Sequence, residues 1–338
     1  MTARFELPEA AKRYRIYGLD LASELVLPEL IPLAGSDLAR ATDITVRMEI
    51  ADPSSIPPLN WFAVFLLPGG EPGLTCAKEP AGYRLRFPEL ADFRVDYRGR
   101  EIICEAPEGL PPATIRHLLL DHVIPRTLSL LGIEALHATA VLTPYGVCAF
   151  TGATGVGKST LAASFHLAGY PVLSDDCLVL SQDDDPILAT PAYPGVRLWD
   201  DALAALCDGL ESGLPVAHNS SKLRVLADTR QRSFTRDRMA LARIYDLVPA
   251  PEEGEEVGVD HEIVEAMSGR EAIMSLLTSV FPFDITDRQV LARQFEFFDR
   301  VASRVPVRRL HVPEGFSSLP AVRDAIFADL RASGSGAM

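Results

Sequence analysis

The N-terminal part of the chain alternates short apolar runs with breaks at proline and glycine. These runs lie at residues 14–17, 44–48, 83–87 and 101–104. Apolar side chains at every second position are typical of strands with one buried face. Residues 105–112 hold three prolines and a glycine, which is typical of a linker. The pattern predicts a small β-rich domain over residues 1–110.

From residue 111 onwards strand and helix periods alternate, which predicts an α/β domain over residues 111–332. Strands at 135–142 and 146–151 are joined by a turn too short for a crossover, so we expect them to be antiparallel neighbours. The other predicted strands lie at 171–174, 177–180, 241–248 and 308–312, and the helices at 115–128, 200–207, 272–277 and 319–330. Residues 333–338 are expected to form a disordered tail.

One further helix is predicted after Thr286, a residue that can cap it. Its apolar positions at helical spacing are Leu291, Phe295, Phe298, Ala302 and Val305. Large apolar side chains on one helix face need no ligand to explain them. We therefore expect the whole stripe to be core.

A glycine-rich stretch after the predicted strand at 146–151 carries the clearest chemistry. It comprises Gly152, Ala153, Thr154, Gly155, Val156, Gly157, Lys158, Ser159 and Thr160, which we term the phosphate loop. In the pattern G-x-x-x-x-G-K-[ST], main-chain N–H groups surround phosphates, the lysine reaches the β- and γ-phosphates, and the serine ligates Mg²⁺. Strand, loop and helix in this order predict a nucleoside triphosphate site. ATP and Mg²⁺ are the expected cofactors, although no motif separates ATP from GTP.

Composition excludes several other classes of protein. The 338-residue chain carries a net charge of −14, which argues against non-specific nucleic-acid binding. Its five cysteines are scattered and form no disulfide or zinc pattern. Because no apolar signal segment or membrane-spanning run occurs, we expect a cytoplasmic protein.

Two adjacent carboxylates, Asp175 and Asp176, end the predicted strand that follows the phosphate-loop helix. One can hold Mg²⁺ together with Ser159, and the other can accept the proton of an attacking hydroxyl. An aspartate of ordinary pKa suffices for the second role because the transition state of phosphoryl transfer is loose. The pair therefore favours transfer to a hydroxyl group, the alternative being that both carboxylates only cap the strand end.

The order and spacing of these residues resemble those of the HPr serine kinase/phosphorylase family. The resemblance rests on His137, the phosphate loop and Ser174 with the two aspartates, and it extends over residues 112–320. It implies a nucleotide domain similar to that of phosphoenolpyruvate carboxykinase. It also implies that Asp175 activates an acceptor serine, that Asp176 supports the metal with Ser159, and that His137 lies beside the phosphates. Family members form oligomers, so a homo-oligomer is an expectation.

The chain departs from this family in one segment. No glycine-rich E-I-R-G-x-G signature follows the two aspartates, and residues 193–199 take its place. A metal-ligand glutamate is then missing, which favours a kinase without phosphorolysis of phosphoserine. Relatives of this kind resemble enzymes that phosphorylate a serine of a lasso-peptide precursor. The expected partner is therefore a peptide or small protein that bears a serine.

A local reversal of charge marks residues 222–243, where seven cationic residues accompany two acidic ones. Arginine forks suit phosphate and carboxylate groups. Arg197, Lys222 and Arg224 are therefore candidates for substrate contacts. An ordinary solvated loop explains the charges of residues 222–243 equally well.

Three other functions stay open on this sequence. They are a kinase for an HPr-type phosphocarrier, a kinase for a small hydroxyl metabolite (or a carboxykinase relative) on the same scaffold, and a non-catalytic nucleotide-binding module. Labelled ATP separates them, because only a protein kinase labels a polypeptide and a binding module forms no product.

Overall fold

A computed structural model describes residues 11–50, 59–67, 69–181, 185–193, 195–198, 237–249 and 263–334, with short pieces at 202, 205, 214–215 and 223–225. The described residues form two compact units. The first contains those up to residue 133 and residues 282–291, and the second contains the rest. The helical segment that follows the predicted linker therefore lies in the first unit. The helix predicted at 200–207 lies almost entirely outside the described residues.

An eight-stranded sheet makes up most of the first unit. Its strands are β1 (Lys12–Ile16), β2 (Leu19–Ser23), β3 (Ile44–Ile50), β4 (Trp61–Leu66), β5 (Pro72–Glu79), β6 (Gly82–Phe87), β7 (Ala91–Asp96) and β8 (Glu101–Ala106), in the order β1-β2-β3-β8-β7-β6-β5-β4. Strand alternation separates its two faces. Leu85, Phe93 and Cys104 are neighbours in register and fully buried. Arg84, one position before Leu85, instead forms an ion pair with Asp92 at 3.0 Å.

The first unit continues with a helical segment of mixed hydrogen-bonding type. It passes from α1 (Pro112–His117) through a π-helical turn (Leu118–Val123) into α2 (Ile124–Thr127) and a 3₁₀ turn (Leu128–Leu131). Pro125 lies in α2, directly after the π-helical turn. Because proline has no N–H to donate, a regular α-helical ladder cannot run through this point.

The second unit is built on a nine-stranded sheet with helices on both faces. Its strands are β9 (Ala135–Leu136), β10 (Thr139–Thr143), β11 (Gly146–Gly152), β12 (Val172–Asp175), β13 (Leu178–Leu180), β14 (Leu188–Thr190), β18 (Met239–Pro249), β19 (Val264–Ala266) and β20 (Val307–Val312). The main path runs β12-β10-β11-β18-β14-β13-β9, and β20 joins β18 to β19. A small separate sheet consists of β15 (Val196–Leu198), β16 (Leu214–Pro215) and β17 (Leu223–Val225). The helices that begin after residue 133 are α3 (Lys158–Leu167), α4 (Gly269–Thr278), α5 (Arg288–Arg304) and α6 (Leu319–Gly334).

Strand β11 lies in the interior of this sheet. It pairs antiparallel with β10, as the short turn predicts, and parallel with β18. Val147 and Ala149 pack in one core cluster with residues of α4 and α5, whereas Cys148 and Phe150 pack in another with residues of α3 and α6. A strand buried on both faces is apolar throughout, which is why residues 146–151 show no alternation. No helix in the part of the chain that the structure describes is long and apolar enough to cross a membrane.

The predicted apolar stripe on α5 is only partly correct. Phe298 and Val305 are buried as predicted and Ala302 is half-buried, but Leu291 and Phe295 are exposed. Phe297 and Val301, which were not predicted, complete the buried apolar face. The expectation took every apolar residue at helical spacing as core, but the buried face also includes Phe297 and Val301 and leaves out Leu291 and Phe295. The helix is also not capped by Thr286.

The N-terminal cap of α5 is Asp287. Its Oδ1 accepts hydrogen bonds from the main-chain N–H groups of Gln289 at 2.8 Å and Val290 at 3.3 Å. Aspartate satisfies these otherwise unpaired donors as well as threonine would, and its charge suits the positive end of the helix.

The two phenylalanines of α5 offer a matched test of this packing. Phe298→Ala removes a fully buried ring and should lower the free energy of unfolding by about 3–5 kcal/mol. Phe295→Ala removes a half-exposed ring and should change it by less than about 0.5 kcal/mol. Urea unfolding of both variants measures the difference, and equal losses would contradict the observed orientation of the helix.

Candidate functional site

The phosphate loop lies between the end of β11 and the start of α3, as the sequence predicts. The N-cap of α3 is Gly157, no side chain caps the helix, and its first turn holds no acidic residue. The first N–H groups of α3 are therefore not satisfied by a side-chain cap. Uncapped N–H groups together with the helix dipole form an anion-binding site.

Three glycines give the loop its shape, for different reasons. Gly152 has a φ of +125°, and a Cβ there would lie 2.6 Å from the carbonyl oxygen of Leu247 on β18. Gly155 and Gly157 also have positive φ, but the space that a Cβ would fill is open in both cases. A backbone without side chains that borders open space is what close approach of a phosphate requires. The loop therefore fits a triphosphate.

Lys158 is folded back across the loop. Its Nζ donates hydrogen bonds to the carbonyl oxygens of Gly152 at 2.8 Å and Ala153 at 3.0 Å, and the residue is largely buried. The ammonium group is thus held beside the cradle formed by Gly155 and Gly157. From this position it can neutralise phosphate charge as the sequence pattern predicts.

Asp175 ends β12 and is almost fully buried. Its Oδ1 accepts hydrogen bonds from Ser159 Oγ at 2.7 Å and from Thr139 Oγ1 at 3.2 Å. Its Oδ2 accepts one from the main-chain N–H of Arg197 at 2.7 Å. Each carboxylate oxygen therefore already has a donor, and the nearest phosphate-loop side chain is the serine expected to ligate Mg²⁺.

Asp176 occupies the turn after β12 and has a φ of +110°, which is rare for a residue with a side chain. Two main-chain hydrogen bonds to Ala138 hold the turn, one in each direction. The carboxylate lies 2.9 Å from His137 Nε2 and 2.8 Å from Arg197 Nη2. His137 is itself fixed by a hydrogen bond from its main-chain N–H to the carbonyl oxygen of Ser279 and by contact of its ring with Phe281.

The charge of Asp176 is strongly favoured by these partners. Burial alone would raise the pKa of its carboxyl group. The Arg197 guanidinium and the His137 ring outweigh that effect and hold the pKa well below its usual range. Asp176 is therefore ionised throughout the neutral range.

A cleft lies between the phosphate loop and the turn at Asp176. It is lined by His137, Thr154, Gly155, Gly157, Lys158, Ser159, Thr160, Asp176, Arg197 and Leu198. Asp175 is not among the lining residues, and its side chain is 3% exposed, compared with 24% for that of Asp176. Of the two carboxylates, that of Asp176 faces the cleft, whereas that of Asp175 borders it through its partner Ser159.

The predicted site residues His137, Lys158 and Ser159 and the two aspartates are brought together by the fold. That Asp176 holds the metal with Ser159 stays a prediction, but Ser159 is in contact with Asp175 and not with Asp176. The physical reason is strand alternation, which turns the Asp175 side chain towards α3, while the positive φ of Asp176 turns its side chain towards His137.

Of the three residues predicted to contact the substrate, Arg197 is the one whose side chain the structure describes. The Arg197 guanidinium is bound to both aspartates, and its Nε lies 3.4 Å from Asp175 Oδ2. Arg224 lies opposite Arg197 in the register of β15 and β17, but its side chain is outside the described part of the structure. Lys222 is outside the described residues altogether. The roles of Arg224 and Lys222 stay predictions.

Sequence reasoning missed Thr139 and the link that Arg197 makes. Thr139 pairs with Asp175 in the register of β10 and β12. The sequence signal for Thr139 was a hydroxyl side chain two positions after His137. Which residue it bonds depends on the register of β10 and β12. Arg197 lies 22 residues after Asp175, so no local pattern connects the two.

The residues present fit a metal–nucleotide complex better than a metal held by protein alone. No group of three or more His, Cys, Asp or Glu side chains is placed to hold a metal ion in the described ranges. Mg²⁺ in nucleotide sites takes one or two protein ligands and completes its shell with phosphates and water. Ser159 and Asp175, in contact at 2.7 Å, can supply that small share.

Comparison with known proteins adds little to this geometry. No protein-family model matches the chain, and no curated protein matches it. Among solved structures, the chain is similar to the HPr(Ser) kinase/phosphatase from Coxiella burnetii, at 12% sequence identity and a TM-score of 0.33, with 60% of this chain and 99% of that chain covered. A similarity at this level decides neither fold nor activity, so a proposal about the activity rests on the geometry of the site.

The glycines of the loop predict different responses to alanine. Gly152→Ala forces a Cβ against the Leu247 carbonyl at a strained φ, so β11 and β18 must move apart and the melting temperature should fall markedly. Gly155→Ala meets open space and should cost only about 1–2 kcal/mol for its positive φ. Thermal unfolding compares the two, and an equal fall in both would show that the close approach to β18 does not matter.

Proposed function

We propose that this protein is a kinase that transfers the terminal phosphoryl group of ATP, with Mg²⁺, to a hydroxyl group. The acceptor that fits the sequence resemblance is a serine of a peptide or small protein. The observation that carries the proposal is the contact between Ser159 and the buried Asp175 at 2.7 Å, with a second carboxylate, Asp176, facing the same cleft.

The phosphate loop binds the triphosphate in this proposal. Its main-chain N–H groups, the start of α3 and Lys158 neutralise the phosphate charge. Ser159 and Asp175 would hold Mg²⁺, the arrangement in which phosphate-loop enzymes combine the loop serine with a strand-end aspartate. The metal supplies neutralisation of the charge that develops on the phosphates.

In this proposal Asp176 accepts the hydroxyl proton. It lines the cleft, and contacts on both of its oxygens orient it: His137 on Oδ1 and Arg197 on Oδ2. Its low pKa makes it a weak base, which suffices where the proton leaves late in a loose transition state. This assignment exchanges the roles that the sequence resemblance gives to the two aspartates.

A carboxylate in the cleft also helps to choose among the other functions that the sequence leaves open. A non-catalytic binding module needs the loop but not a carboxylate that faces it, so the position of Asp176 favours catalysis. Kinases for peptides and for small metabolites share this requirement. Separating those two depends on the acceptor, which the site geometry does not name.

The exchange of roles is tested with two variants and a loop control. Asp176→Asn should leave ATP affinity near that of the parent and lower phosphoryl transfer by about 10²–10⁴-fold, the usual range for loss of a general base. Asp175→Asn should raise the Mg²⁺ concentration needed for half-maximal rate, and Lys158→Ala should abolish ATP binding. Transfer from γ-labelled ATP to a serine peptide library and to small alcohols gives the rate and identifies the acceptor class.

Two outcomes would contradict the proposal. If Asp176→Asn transfers at the parent rate while Asp175→Asn binds ATP and Mg²⁺ normally but loses transfer, the roles implied by the resemblance are correct. If the parent binds ATP and labels neither peptides nor small alcohols, the protein is not a kinase for these acceptors.

A further inference from the structure

We infer that Arg197 is the built-in counter-ion of the two aspartates and that it keeps free divalent metal out of the site until nucleotide arrives. The inference rests on the proposed function only in taking Asp175 as the carboxylate that holds the metal, with the charge of Asp176 beside it. It concerns what these residues do before ATP binds.

The contacts of Arg197 span both carboxyl groups. Its main-chain N–H and its Nε reach Asp175 Oδ2 at 2.7 and 3.4 Å. Its Nη2 reaches Asp176 Oδ2 at 2.8 Å and the main-chain carbonyl of Asp175 at 3.3 Å. Among the described residues, Arg197 is the side chain of permanent positive charge that contacts both aspartates.

The surroundings make this contact strong. The Arg197 side chain is 9% exposed and that of Asp175 is 3% exposed, so water screens the charges weakly. Two neighbouring carboxylates without a cation would repel each other and attract any available divalent ion. Arg197 removes that repulsion with a charge that is always present, because the guanidinium does not lose its proton.

Free Mg²⁺ must therefore bind next to an existing positive charge, and Ser159 and Asp175 alone offer it few ligands. A metal that arrives with ATP brings phosphate oxygens as additional ligands and negative charge that offsets Arg197. The site is thus built to accept the metal–nucleotide complex in preference to the free metal. Arg197 is a positioning residue in this scheme, acting through the aspartates.

The test measures metal binding without nucleotide. Mn²⁺ binding to the full-length protein is followed by electron paramagnetic resonance, which distinguishes free from bound ion. Arg197→Gln removes the charge and should tighten Mn²⁺ binding about tenfold. Arg197→Lys keeps the charge but cannot span both aspartates, so it should give a smaller gain. Adding Asp176→Asn to Arg197→Gln should remove most of the gain.

Arg293→Gln is the matched control. Arg293 forms an ion pair with Glu134 at 2.8 Å, so the variant removes one positive charge from beside another carboxylate of the same unit. It should bind Mn²⁺ with the affinity of the parent. A merely structural role for Arg197 would change the melting temperature without changing Mn²⁺ affinity.

The inference is overturned if Arg197→Gln binds Mn²⁺ no more tightly than the parent, or if Arg293→Gln gains as much. Should Arg197→Gln fail to fold, Arg197→Met, which keeps an apolar stem without the charge, decides: parent affinity in that variant overturns the inference. Since neither ATP nor acceptor is present, this result is independent of whether the protein proves to be a kinase.

Discussion

Compensation of negative charge at the end of β12 is the constraint on which the candidate site depends. Two consecutive carboxylates can stay ionised in a largely buried turn only if donors and cations are placed around them. Those partners come from separate parts of the second unit: Thr139 and His137 around the start of β10, Ser159 on α3, and Arg197 on β15. Because β10 also pairs with β11, the same sheet fixes the carboxylates and the phosphate loop.

The two carboxylates differ because the backbone turns between them. Asp175 is still in the strand, so alternation turns its side chain towards α3, where Ser159 bonds it. Asp176 has left the strand with a positive φ, and the hydrogen bonds to Ala138 hold that turn in place. One aspartate is therefore covered and the other faces the cleft. The two neighbouring aspartates therefore have different environments although their side chains are identical.

Local patterns predicted the strand, loop and helix at residues 146–167, and the strand that ends at Asp175 is confirmed. These elements are specified by glycines and by apolar periods within a short window. Contacts that depend on side-chain direction or strand register were not predictable in the same way. Ser159 contacts Asp175, whereas the resemblance pairs it with Asp176, the next residue. On α5, Phe295 is exposed although it lies at helical spacing from the buried Phe298. Arg197 was singled out for its charge, but its partners come from a distant strand.

The backbone of Asp176 bears on whether this residue belongs to the chemistry. A left-handed conformation costs an aspartate of the order of 1–2 kcal/mol, and strain of this kind persists where the surroundings enforce it. If the turn served only to end β12, glycine would serve without that cost. What glycine lacks is the carboxylate that His137 and Arg197 orient towards the phosphate loop. Asp175 cannot replace it, since its side chain is almost fully buried and does not line the cleft. Among the residues that line the cleft, Asp176 is the one with a carboxylate, so in the proposed reaction it is the group that would take the proton of the acceptor hydroxyl.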